Sequence, residues 1–231
     1  MGKPKDSWAL THSLICIAFC TLFFLGNTRT YVSGLVFGLV GYGFAMFAIL
    51  LIVQRHRVMR LQNIVTLFRL GAGGVFLCWM ALRPEFTVYK FFFISAAALT
   101  DVIDGMIARW KGCTVFGAKL DMEVDAFFTL SLSVNGFVFA GMEAWILIIG
   151  LMRYGYEFIL LLLPADDTFP VFVKYGEKTI CAFTVIALIS ITAPFFPYTG
   201  KLLLSFSALI LLGISFLMNM CARIFIGGIK H

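Results

Sequence analysis

Between residues 101 and 125 the chain reads DVIDGMIARWKGCTVFGAKLDMEVD, and five of its twelve acidic residues fall there: Asp101, Asp104, Asp121, Glu123 and Asp125. Long apolar segments flank the stretch, so these carboxylates stand in or beside lipid. An aspartate near the middle of a membrane helix costs roughly 2.5 to 3.5 kcal/mol, so four unaided would cost on the order of 10 to 14 kcal/mol. Something cationic must compensate. Asp101 and Asp104 are three residues apart and Asp121 and Asp125 four apart, so on helices each pair lies on one face. Two such faces turned toward each other give four converging carboxylates, a nominal charge of −4. Two hard divalent cations, which take oxygen ligands and keep positions open for phosphate oxygens, would cancel it. The alternative is a purely structural set of ion pairs with Arg109, Lys111 and Lys119. Glu123 points 100° or more away from Asp121 and Asp125 and is left out of the metal set.

The elements that carry these residues are set by composition. Hydrophobic residues make up 61% of the 231 and charged residues 13%, with a mean hydropathy of +0.98; about 25% charged is usual in soluble domains. The apolar residues come in runs of about 20 rather than in strict alternation, which excludes a β-barrel and predicts an all-α polytopic membrane protein. Basic residues are scattered through short loops rather than gathered in one patch, so the net charge of +6 reads as membrane topology and not as nucleic-acid binding. The six cysteines form neither a zinc-type pair nor a disulfide framework and read as packing residues. The 26 phenylalanines and ten methionines read as packing and lipid-facing surface. His12, His56 and His231 have no partner in the pattern and receive no role.

Eight spans are expected. A retained first helix ends near Gly26, since no small-x-small cleavage site follows it, and a second runs over about 31–53. The remaining six cover about 63–82, 88–109, 115–138, 143–163, 178–195 and 201–221. The polar linker PADDTFPVFVKYGEK before the seventh leaves room for a short interfacial helix. Eight spans place both ends of the chain on one side. Four of the eighteen basic residues (Arg29, Arg83, Lys90, Lys201) then fall on the other side, and the positive-inside rule turns the acidic stretch toward the cytoplasm. No internal repeat is evident. The expected organisation is one structural domain with two parts, an N-terminal hairpin and loop over 1–61 and a six-helix core over 62–231.

The order Asp101-x-x-Asp104-Gly105-x-x-Ala108-Arg109, then Gly117-x-x-x-Asp121-x-x-x-Asp125, resembles the signature of the CDP-alcohol phosphotransferase (CDP-alcohol phosphatidyltransferase) family over about residues 62–221. Seven residues separate Arg109 from Gly117, where the family usually has eight or more, so the departure falls in the turn between the two helices. The resemblance implies an integral membrane enzyme that moves a substituted phosphate from a CDP-linked donor to an alcohol and releases CMP. It implies Asp101, Asp104, Asp121 and Asp125 as ligands of two divalent cations, Mg²⁺ or Mn²⁺, with Asp125 also the general base, and it implies a homodimer. Gly105, Ala108 and Gly117 lack bulk and let a nucleotide or a neighbouring helix approach closely; Arg109 offers a planar fork to a donor phosphate. Asn63, Thr66 and Arg69 match the N-x-x-T-x-x-R that opens the family's first core helix and are expected at the donor phosphates, with a helix cap and a snorkelling arginine as the plainer reading. Gly176-x-Lys178-Thr179 resembles part of the pattern of members that use glycerol phosphate. Lys178 and Arg153 are therefore expected at the acceptor, against a plainer reading as topology charges.

The leading expectation is a phospholipid-synthesis enzyme that transfers a phosphatidyl group from CDP-diacylglycerol to an acceptor such as glycerol 3-phosphate. The reverse polarity, a soluble CDP-alcohol attacked by diacylglycerol, is the alternative within the family. A cation transporter would call for broken helices and a repeat, neither of which is apparent, and a non-catalytic scaffold is the third class.

Overall fold

A computed structural model of the chain describes residues 7–25, 29–53, 61–111, 115–162 and 171–228, and every described element is an α-helix. The eight helices are α1 (Ser7–Leu25), α2 (Arg29–Val53), α3 (Leu61–Leu82), α4 (Val88–Lys111), α5 (Val115–Val138), α6 (Ile146–Leu162), α7 (Val171–Thr192) and α8 (Tyr198–Gly228). Helices are what a low-dielectric surround requires, because each satisfies its own backbone donors and acceptors. The hydroxyls follow the same rule: Ser131 donates to the carbonyl of Phe127, Thr184 to Ile180 and Ser205 to Lys201, each one turn back.

The bundle exposes many large apolar side chains and buries several polar ones within an otherwise apolar interior. Phe68, Leu82, Tyr89, Phe92, Leu99, Leu203 and Leu217 project outward, while Asn63, Arg69, Glu123, Asn135 and Asn219 are buried. An apolar exterior with polar groups turned into the bundle suits a lipid surround. Two helices, over Asn63–Leu82 and Tyr198–Cys221, are long and apolar enough among the described residues to cross a membrane by composition alone.

Helices α3, α5 and α6 form the centre, with α4 on α3, α7 and α8 paired, and α8 also against α6. The first two helices are not peripheral. Each packs more extensively on a central helix than on the other, α1 on α6 and α2 on α3, and Cys16, Cys20, Phe23, Val36 and Leu39 share one buried cluster with Leu77, Val124, Phe127, Leu130 and Tyr154.

Boundaries differ from the sequence expectation in three places. Helix α7 begins at Val171, so the second half of the polar linker belongs to a span; Pro170 stands just before it, where a missing N–H and a fixed φ start a helix readily. Lys178 is consequently in the second turn of α7 rather than at its opening. Helix α6 begins at Ile146, after a turn in which Gly141 takes a φ of +67°, a left-handed conformation that suits glycine. Helix α8 extends to Gly228, and its 31 residues span about 46 Å at 1.5 Å per residue. Two of the four basic residues assigned to the far side have structural partners there. Lys90 donates to the carbonyls of Arg83 and, at 2.9 Å, Glu85, closing the α3–α4 loop. Lys201 donates to Ile191 at 2.8 Å at the end of α7, a favourable place for a cation beside exposed helix carbonyls.

Helices α5 and α6 come close at Gly150, where an added Cβ would lie 2.8 Å from the Cα of Leu130. Backbone cannot yield as a side chain can. Gly150→Ala is expected to cost about 1 to 3 kcal/mol, read as a fall in the thermal midpoint of the purified protein in detergent, while Gly155→Ala, with nothing within 4 Å of the added carbon, leaves it unchanged.

Candidate active site

Four acidic and basic side chains from three helices meet inside one half of the bundle. Arg69 stands eight residues into α3, Asp101 ten residues before the end of α4, and Asp121 and Asp125 six and ten residues into α5. At 1.5 Å per residue these are about 9 to 15 Å from the same end of the bundle. Helix α3 brings them together, because α4 and α5 both pack against it. The four-residue spacing of Asp121 and Asp125 puts both on one face of α5.

One carboxylate oxygen from each of Asp101, Asp121 and Asp125 lies within 4.8 Å of the others. Oxygens bound to a single magnesium-sized ion at about 2.1 Å stand at most about 4.2 Å apart, so a small closure brings all three onto one ion. The donor set is entirely hard oxygen and the carboxylates are part-exposed, at 54%, 39% and 49% of their side-chain surface. Residues of this type, spacing and access fit a divalent-cation site.

The cation that meets them among the described residues is not one of those anticipated. Arg69 donates from Nη1 to Asp101 at 2.7 Å and from Nη2 to Asp121 at 2.7 Å and to Asp125. A snorkelling arginine would show its head group; this one is 1% exposed. Asn63 and Thr66 lie on the same face of α3 and are buried too. Since α3 begins at Leu61, Asn63 sits inside the helix and not at its cap. The spacing of the three residues placed them on one face, but only the packing of α3 against α4 and α5 reveals which way that face turns.

The remaining expected residues divide in two. Gly117 is buried in the first turn of α5. Asp104, Gly105, Ala108 and Arg109 lie on α4 and Lys178 on α7, with side-chain positions outside the described residues, as are those of Lys111 and Lys119. The shortened turn at 112–114 is outside them as well. Arg153 donates from Nη2 to Glu123 at 3.4 Å. Glu123 is two residues from both Asp121 and Asp125, about 200° around α5, so this pair joins α5 to α6 on the opposite side.

A family model described as CDP-alcohol phosphatidyltransferase matches residues 59–219, more than two thirds of the chain. The chain belongs to the CDP-alcohol phosphatidyltransferase family. Comparison with curated proteins and with solved structures gives no match. As a CDP-alcohol phosphatidyltransferase the protein is a membrane enzyme that transfers a substituted phosphate group from a CDP-alcohol to an acceptor in phospholipid synthesis. The matched region begins two residues before α3 and takes in all four residues of the cluster, whereas α1 and α2 precede it.

Two substitutions separate the two polar sets. Asp121→Asn should weaken Mn²⁺ binding at least about tenfold, because it removes a charged ligand. Glu123→Gln should lower the thermal midpoint by a few degrees, with a coupling to Arg153 of about 0.5 to 3 kcal/mol in a double-mutant cycle, and leave Mn²⁺ affinity within about twofold. Electron paramagnetic resonance titration and thermal melts measure the two effects.

Proposed function

We propose that the protein transfers a phosphatidyl group from CDP-diacylglycerol to the hydroxyl of a phosphorylated polyol, with glycerol 3-phosphate the first acceptor to test, at a site facing the cytoplasm. The observation that carries this reading is the convergence of Asp101 of α4 with Asp121 and Asp125 of α5 within 4.8 Å, in a chain of this family. A diphosphate does not approach bare carboxylates, so the arrangement calls for bridging cations. Asp101, Asp104, Asp121 and Asp125 would hold two of them, Mg²⁺ or Mn²⁺. When bound, such ions neutralise the donor diphosphate and stabilise charge on the attacked phosphorus and the leaving CMP.

The chain's own groups have distinct tasks. Asp125 takes the proton of the acceptor hydroxyl; the freed oxygen bonds to the phosphorus that carries the diacylglycerol, and the bond from that phosphorus to the CMP oxygen breaks. Its partial exposure and its place one turn from Asp121 support this assignment, since a base must reach within hydrogen-bonding distance of the acceptor. Arg109 orients the donor phosphates, and the small residues Gly105, Ala108 and Gly117 leave room for the nucleotide. Asn63 and Thr66, buried on the face that carries Arg69, line the inner wall of the donor site. Lys178 holds the acceptor phosphate. Arg153 joins it only by exchanging Glu123, its partner at 3.4 Å, for phosphate. The six helices α3 to α8 form the catalytic part, to which α1 and α2 are added, and the active form is a homodimer.

Purified protein given CDP-diacylglycerol, Mg²⁺ and a panel of alcohols should release CMP and form a lipid identified by mass spectrometry. Asp125→Asn should lower the rate about 10²- to 10⁴-fold, and Arg153→Gln should raise KM for a phosphorylated acceptor without matching loss of kcat. No CMP release with any acceptor sinks the reading; turnover only with a soluble CDP-alcohol and diacylglycerol reverses its donor.

A further inference from the structure

We propose that Arg69 is a positioning residue that holds Asp101, Asp121 and Asp125 convergent from their buried side before any divalent cation binds, leaving their open side to the cation. The inference rests on the reading of the three carboxylates as a divalent-cation site. Connectivity is its first support. A single guanidinium on α3 reaches Asp101 on α4 at 2.7 Å and both Asp121, at 2.7 Å, and Asp125 on α5, so it fixes the spacing of the two helices that carry the ligands. Every one of these contacts is made to Oδ1, and a carboxylate has a second oxygen with lone pairs of its own.

Sidedness is the second support. Arg69 is 1% exposed, whereas the three carboxylates are 54%, 39% and 49% exposed. The guanidinium therefore lies behind the aspartates and not in the mouth of the site. Electrostatics is the third. Carboxylates this close repel one another, and without a cation they would splay or take up protons. The rigid, permanently charged fork of arginine satisfies several at once, which the single ammonium of a lysine does not. Groups that orient metal ligands from behind commonly set the affinity of the site they support.

Wild type, Arg69→Gln and Arg69→Lys would be purified in Mn²⁺, then stripped with a chelator, and the thermal midpoint measured with and without Mn²⁺ alongside a paramagnetic resonance titration. Wild type should lose little on stripping. Arg69→Gln should lose roughly 5 to 10 °C more than wild type when stripped and recover most of it when Mn²⁺ returns, with Arg69→Lys between the two. An Arg69→Gln loss that is the same with and without Mn²⁺ would mean a packing role and would overturn the proposal. So would a stripped wild type that falls as far as Arg69→Gln. If Arg69→Gln does not survive purification, Arg69→Lys decides by the same criterion, a loss that Mn²⁺ reverses or one that it does not. Wild type that takes up no Mn²⁺ sinks the cation site itself, whereas Mn²⁺ uptake by wild type with a metal-independent variant loss overturns only the role of Arg69.

Discussion

A carboxylate carried into a bilayer must meet a positive charge or give up its own, and the helices around the active site are arranged by that requirement. Three aspartates are held level on α4 and α5, and one arginine on α3 meets them all. Packing of both α4 and α5 against α3 brings the aspartates together and sets the arginine among them. Neither element alone could hold the site. An isolated α5 would present Asp121 and Asp125 to lipid, and an isolated α3 would bury an unpaired guanidinium, each a state that costs several kcal/mol.

Charge is segregated around α5 in a way that serves this arrangement. One face carries Asp121 and Asp125 toward Arg69 and the open site, while Glu123 on the far face pairs with Arg153 of α6. Close approach of α5 and α6 at Gly150 supports the second pair. The additional helices take part in this half of the molecule as well, because Cys16 and Cys20 of α1 pack in the cluster that contains Val124 and Tyr154, the immediate neighbours of Glu123 and Arg153. That packing gives α1 a structural reason to be present in a chain whose family resemblance begins only at residue 59.

Much of this was legible in the residues. The helical, membrane-spanning class followed from apolar runs of about 20 residues, and the two aspartate pairs announced themselves by spacings of three and four. The family followed from eight residue types in fixed order. What the sequence did not show was direction. Arg69 occupies the right face of α3 beside Asn63 and Thr66, yet spacing alone is equally compatible with a phosphate ligand, a snorkelling side chain or a buried partner of carboxylates; only its near-zero exposure and its neighbours across the bundle separate them. Arg153 is a similar case, since a lone arginine in an apolar span does not declare that Glu123, thirty residues away, faces it. The start of α7 was displaced for a local reason: polar residues after Pro170 look like linker, but a proline just before a helix favours the turn that follows it.

The most direct test is the position of a bound cation in an experimental structure of the wild-type protein with Mn²⁺, located by anomalous scattering. The account predicts density within coordination distance of Asp101, Asp121 and Asp125 on their exposed side, with Arg69 still behind them. Anomalous density elsewhere in the molecule, or none while the three carboxylates remain bound to Arg69 alone, would contradict it.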